Sequence, residues 1–199
     1  KEINPNLKFM LENVDMKKDW QNVITEYVGV EPMKINSELF LPQNRPRTYW
    51  TNFEIPNITA IQYSLLDYLD DIELEDYEII DGIKVCNSFS ENSKSLVSVV
   101  NSEIRIKQSV KIGYAIANIG DGINLSFPTS KSRRGRVIKG RISCIDTACN
   151  IGVLDSKKQI RRLSINELER LQGLPVGYTE GMSETKAKKL IGNGWTVDV

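Results

Sequence analysis

Arg161-x-Leu163-Ser164-x-x-Glu167-x-x-Arg170-Leu171-Gln172-Gly173-Leu174-Pro175 decides how this chain of 199 residues is read. Ser164 and Glu167 have the spacing of a capping box, which predicts a helix over 164–172. Gly173 and Pro175 then stop it. A basic helical stretch follows, and Ile191-Gly192-Asn193-Gly194-Trp195 makes a glycine-rich turn before an apolar tail that ends at Val199.

Upstream of this segment, 142–147 and 151–154 read as short strands joined to it by a turn at 155–158. Before them lies a basic run, Lys131, Arg133, Arg134, Arg136, Lys139 and Arg141, with six cations and no acid between 131 and 141. Ser130, Ser132, Gly135 and Gly140 keep it supple, so it suits a loop that follows a phosphate backbone. Gly120-Asp121-Gly122 has the composition of a hairpin turn and predicts that 111–117 and 123–127 pair as neighbouring strands. The stretch 70–81 is strongly acidic and predicts a solvated linker or surface helix; 64–69 predicts a short helix.

Nearer the start, Arg45 and Arg47 alternate along a strand-like segment, which places both guanidiniums on one face with Pro46 stiffening the backbone between them. Such a face suits phosphate or carbonyl recognition. Residues 7–11 predict a buried strand with Glu12 and Asn13 just past its carboxyl end, where open α/β sheets bind ligands. Asp15 caps a predicted helix over 16–27, whose stripe of Trp20, Val23, Ile24 and Tyr27 predicts core packing. A second strand is predicted at 32–36.

Composition narrows the chemistry. The 26 basic and 26 acidic residues cancel, and histidine is absent. Histidine-based triads and most zinc sites are therefore excluded. Cys86, Cys144 and Cys149 are too few and too irregular for a disulfide framework, and a reducing compartment is expected. No apolar run has the length of a membrane span.

Four separated pieces fall in one order: Glu12-Asn13-Val14, Gln43-x-Arg45-x-Arg47, the long segment 161–175, and Gly192-Asn193. Together they resemble the C-terminal half of the DNA cytosine-5 methyltransferases, over essentially the whole chain. The details around Arg47–Trp50 and Gly192–Trp195 look more like the branch holding the eukaryotic de novo enzymes and their bacterial and phage relatives. The resemblance implies the C-terminal part of a doubly wound α/β sheet that uses S-adenosyl-L-methionine, with an inserted, mainly β target recognition domain. It divides the chain into 1–55 as distal catalytic domain, 56–158 as recognition region with a DNA-contacting loop at 130–141, and 159–199 as a closing helix and cofactor segment.

The resemblance also implies roles. The target cytosine in double-stranded DNA is flipped out of the helix. Glu12 matches the carboxyl group that donates a proton at cytosine N3, and Asn13 helps hold the base or Glu12. Arg47 matches the arginine at the cytosine O2 side, and Arg45 a neighbouring structural or phosphate-contacting arginine. Asn193, Gly194 and Trp195 match the turn that closes on S-adenosyl-L-methionine. Lys131, Arg133, Arg134, Arg136, Lys139 and Arg141 would meet DNA.

The family's first-half motifs are not found. No F-x-G-x-G loop follows a strand near the start, and the residues before the three cysteines are Val85, Ser143 and Ala148, so there is no Pro-Cys dipeptide. With a first residue other than Met and an apolar end, this predicts part of something larger. Three readings stay open: a fragment of an intact enzyme, one subunit of a split enzyme whose partner supplies the N-terminal half, or a non-catalytic DNA-binding relative. A cytoplasmic or nucleoid location and a restriction-modification setting fit all three.

Overall fold

The computed structural model describes residues 4, 6–147 and 150–199; Ala148 and Cys149 lie outside the described residues. The chain opens with β1 (Met10–Val14), α1 (Lys18–Val28), β2 (Met33–Asn36), β3 (Gln43–Asn44) and β4 (Pro46–Thr51). Strands β1, β4 and β2 form a three-stranded antiparallel sheet in that order. Helix α1 is tied to this sheet by the buried Trp50, whose Nε1–H donates to Thr25 Oγ1 at 2.9 Å.

After a 3₁₀ turn at Leu65–Tyr68 the chain is mostly β: β5 (Tyr77–Ile80), β6 (Ile83–Cys86), a single helical turn α2 (Glu91–Lys94), β7 (Val97–Val100), β8 (Glu103–Lys107), β9 (Tyr114–Ala117), β10 (Gly122–Asn124), β11 (Arg136–Ile138), β12 (Ile142–Ser143), β13 (Ile151–Leu154) and β14 (Gln159–Arg162). They make a six-stranded sheet, order β11-β10-β13-β14-β6-β5, and a three-stranded sheet, β7-β8-β9. Val85, Ile106, Ile123, Leu125, Leu154 and Ile160 form the core they share. Strand β12 leaves this region and pairs in parallel with β3, Ser143 opposite Asn44. Two helices close the chain, α3 (Ile165–Leu171) and α4 (Glu184–Asn193). They pack with Leu65, Ile142, Ile145 and Val153 in a second core through Leu168, Leu171 and Ile191. Each such buried Leu or Ile contributes roughly 1.5–3 kcal/mol of transfer free energy.

The long segment folds as its spacing predicts. Ser164 Oγ accepts from Glu167 N, and the Glu167 carboxylate accepts from Ser164 N, a complete capping box. Gly173 sits at φ +77, ending the helix in a conformation glycine tolerates.

Several expectations are corrected. The first strand is Met10–Val14 rather than 7–11, so Glu12 lies in mid-strand opposite Tyr49. The side chain of Asn52 replaces the ladder over the preceding residues, accepting from Phe9 N at 2.8 Å and donating to Leu7 O at 2.7 Å. This strand is not buried: Met10, Leu11 and Val14 are exposed. Asp15 does not cap α1; its carboxylate pairs with Lys34 at 2.7 Å, and Lys17 occupies the cap position without a side-chain bond. The stripe on α1 is exposed rather than core, with Trp20 at 65% and Tyr27 at 88% of full exposure. Periodicity shows that a helix is amphipathic, not what covers its apolar face.

The 120–122 turn is not a hairpin. Strand β9 pairs with β8, whereas β10 pairs with β11 and β13. Asp121 turns the chain from one sheet to the other, its carboxylate accepting from Asn118 N, Gly140 N and Lys139 Nζ. The acidic stretch is not solvated throughout. Asp70 binds Arg170 and Ser164, Glu73 binds Lys84 and Lys157, and 77–80 is a strand.

Candidate active site

Glu12 on β1 and Arg47 on β4 are brought together by the antiparallel pairing of those strands. Arg47 Nε lies 2.8 Å from Glu12 Oε1, with both side chains largely but not wholly sheltered, at 13% and 15% exposure. Arg47 also donates from Nη1 to Pro46 O at 2.9 Å, and its Nη2 is 3.6 Å from Cys144 Sγ. Tyr49 lies opposite Glu12 on β4. Burial raises its phenol pKa, and the Glu12 carboxylate raises it further. Asn13 Oδ1 accepts from Val14 N at 2.8 Å, so it stiffens β1 next to Glu12.

Arg45 has a different place. It is 4% exposed. Nη1 donates to Ile145 O at 2.9 Å and reaches Cys144 Sγ at 3.2 Å, and Nη2 donates to Gly192 O at 3.2 Å and Gly194 O at 2.7 Å. Burial lowers its pKa; Cys144 opposes that shift and Arg47 adds to it. A guanidinium held this way ties β3–β4, the 142–147 arm and the end of α4 into one unit.

Neighbouring groups complete the joint. Gln43 Nε2 donates to Leu171 O at 2.7 Å and Gln172 Oε1 at 3.0 Å, and Gln43 Oε1 accepts from Ile145 N at 3.3 Å. Gln172 Nε2 donates to Gly194 O at 2.8 Å. Ser37 Oγ donates to Thr196 Oγ1 at 2.9 Å. Gly192 is packed so tightly that a Cβ there would lie 2.5 Å from the Asp146 carbonyl. Cys144 was not singled out by the sequence; no local pattern marks a residue that meets its partners from 97 and 99 positions away.

The turn 193–195 is presented outward. Asn193 and Trp195 are exposed, and Trp195 reaches 52%. The Gly194 carbonyl already accepts from Arg45 and Gln172. Of the three, Asn193 and Trp195 keep an amide and an aromatic face for a ligand, and Gly194 serves the turn. A cleft of about 750 Å³ lies between α3, the 176–182 loop and α4, and none of 193–195 lines it. The buried Glu169 anchors that loop, accepting from Thr179 N and Oγ1 and from Gly177 N at 2.6–2.7 Å. Burial pushes the Glu169 carboxyl up, but these hydrogen bonds outweigh it and hold the pKa below the usual range.

The six cations of the basic run divide. Lys139 pairs with Asp121 and Arg141 with Glu38, both at 2.8 Å. Arg133 stacks 4.5 Å over Phe127. Lys131, Arg134 and Arg136 have no acidic partner within 4.0 Å among the described residues. No cluster of three His, Cys, Asp or Glu side chains suited to a metal occurs among the described residues, and no helix there is long and apolar enough to cross a membrane.

A family model for C-5 cytosine-specific DNA methylases matches residues 1–199. No curated protein matches the chain. Among solved structures it is similar to a methyltransferase of Entamoeba histolytica, EhMeth, at 14% identity and a TM-score of 0.49, over 95% of this chain and 58% of that one. It is also similar to a protein described as a DNA modification methyltransferase encoded within a prophage (E. coli), at 15% identity and a TM-score of 0.49, over 95% of this chain and 65% of that one. The chain thus spans about 58 to 65% of the length of these structures. With the match running from the first residue to the last, the chain belongs to the C-5 cytosine-specific DNA methylase family.

Proposed function

We propose that this chain is the distal half of a DNA cytosine-5 methyltransferase, acting on a cytosine flipped out of double-stranded DNA. The observation that carries this reading is the Glu12–Arg47 pair, 2.8 Å apart on facing strands and largely but not wholly sheltered. Cytosine N3 and O2 are adjacent atoms on one ring edge. A carboxyl group and a guanidinium held side by side can meet both at once, Glu12 donating a proton at N3 and Arg47 donating hydrogen bonds at O2. Such contacts draw electron density from the ring and make C6 open to a nucleophile. Asn13 steadies the strand under Glu12. Cys144 and Arg45 hold the Arg47 side of the site.

S-adenosyl-L-methionine supplies the methyl group when bound. Asn193 and Trp195 fit the rim of its pocket, the first as a polar contact and the second as an apolar wall. The nucleophilic cysteine and the main cofactor loop belong to a complementary half, joined in cis or as a separate subunit. The exposed apolar groups of α1 and β1, Trp20, Val23, Tyr27, Met10, Leu11 and Val14, suit burial by that half. Residues 56–158 then form the recognition region, a mainly β insertion that the 130–141 loop applies to DNA. The setting is the cytoplasm or nucleoid, in restriction-modification or a related role.

A second reading, a non-catalytic DNA-binding relative, is favoured by one fact: no cysteine among the 199 residues follows a proline. Methyl transfer from labelled S-adenosyl-L-methionine to DNA, measured on the chain joined to its complementary half, separates the two. The proposal expects activity that collapses in Glu12→Gln and in Arg47→Ala. Equal rates in both variants and the unmodified enzyme would remove the assigned roles.

A further inference from the structure

Strand β11 and the loop before it, the chain just after β8, and the β3–β12 pair line a recess of about 350 Å³ that includes Asn44, Gln108, Arg134, Arg136 and Ser143. Its charge is unbalanced. Neither arginine has an acidic partner within 4.0 Å among the described residues, and Arg134 Nε is buried without a hydrogen-bond partner. Arg141 Nε and Arg162 Nε are buried without a partner as well; what sets Arg134 and Arg136 apart is that two guanidiniums without a carboxylate line one recess.

The backbone around the recess is fixed. Gly135 has φ +53, and a Cβ there would lie 2.1 Å from Lys107 O, so the loop presses directly onto the end of β8. Arg134 and Arg136 leave this clamp on either side. Gln108 Oε1 accepts from Val137 N at 3.3 Å, which fixes its amide and leaves the NH₂ for another partner. A loop serving phosphates alone needs neither a clamp nor an oriented amide, since phosphate contacts tolerate a mobile point charge.

The recess also has an address. Asn44 and Ser143 face each other in the β3–β12 pair. Each adjoins a residue of the candidate active site, Arg45 and Cys144, which are 3.2 Å apart. A base seated in the recess would therefore neighbour the flipped cytosine in the same DNA.

We propose that this recess reads a guanine close to the target cytosine, with Arg134 donating to guanine O6 and N7 and Gln108 contacting the same or the adjoining base. Guanine alone presents two acceptors side by side in the major groove, the match for a guanidinium fork. The inference rests on the reading of the chain as the DNA-recognising part of a methyltransferase.

The test begins with selection of duplexes from a randomised pool by the chain joined to its complementary half, followed by binding measured by fluorescence anisotropy. The selected pool should be enriched in guanine at one fixed position. Arg134→Ala and Arg134→Lys should both lose that preference by about 10-fold or more, while circular dichroism shows them folded. Replacing that guanine by 7-deazaguanine, which lacks the N7 acceptor, should weaken binding by the unmodified chain and leave Arg134→Ala unaffected. Lys131→Ala should instead weaken all sequences alike and lower the salt-dependence slope by about 1. If Arg134→Ala behaves as Lys131→Ala does, keeping the guanine preference, Arg134 is a phosphate contact and the recess inference falls alone. If the chain joined to its complementary half retains no duplex even at low salt, the functional reading falls with it.

Discussion

Two arginine–carboxylate arrangements in this chain use the same chemistry for opposite ends. Arg161 is 1% exposed, and all of its N–H donors are used. Nε binds Asp155, Nη1 binds Glu167 and the Arg162 carbonyl, and Nη2 binds Glu167 and the Asp70 carbonyl, at 2.7–3.1 Å. Burial works against its charge, yet the Glu167 and Asp155 carboxylates prevail and raise its pKa. Arg47 makes one carboxylate contact, reaches a sulfur and a carbonyl, and keeps an open side. A closed network holds structure together. An open pair keeps capacity for something that arrives later.

The sharpest way to test this contrast is by stability. Arg161→Ala leaves two carboxylates buried without their cation and should lower stability by about 3–5 kcal/mol, read by thermal or urea unfolding. Arg47→Ala, at a pair that keeps some access to water, should cost less than Arg161→Ala. Equal losses would erase the distinction. Next in size is the catalytic arm of the comparison. Glu12→Gln should lower methyl transfer in the joined enzyme by on the order of 100-fold or more, with its melting temperature nearly unchanged.

Glu169 gives a third case, a buried carboxylate held by N–H and O–H donors rather than by an arginine. In Glu169→Gln an NH₂ must face one of those donors, at a cost of about 1–3 kcal/mol near neutral pH. Because the native pKa is depressed, this carboxylate stabilises the fold above the ordinary glutamate value of about 4.3. That contribution is lost as pH falls through the native value. The gap between Glu169→Gln and the unmodified protein should therefore narrow in acid, as unfolding at pH 7 and pH 3 would show. Smallest is Ser164→Ala, which removes one arm of the capping box beside the closed network and should cost about 1 kcal/mol. A cost well above that would mean the cap and the Arg161 network act as one unit.

What the sequence disclosed follows from the range of the interactions involved. The capping box at Ser164 and Glu167 was legible because both partners lie within one turn of helix. Glu12 and Arg47 were legible through short motifs, though only the strand pairing shows that they touch. The turn at Gly120–Gly122 was misread because its composition fixes a reversal but not which strand follows as neighbour; β10 finds β13, nearly thirty residues on. The α1 stripe was misread because a period of 3.6 says nothing of the surface that meets it. Cys144 and Gly192 left no local trace, since each matters through backbone brought from elsewhere.

Gly192 has a consequence for how such a protein could change its target. With no space for a methyl group between α4 and the Asp146–Thr147 backbone, the arm that carries the β-rich insertion is set at one fixed distance from the helix behind it. Arg45 pins the same crossing from the other side. On the proposed reading, the loops beyond that crossing behave as an exchangeable cassette. Their sequence could drift or be swapped to favour a different DNA word, while the cytosine would still be delivered to the same spot before Glu12 and Arg47.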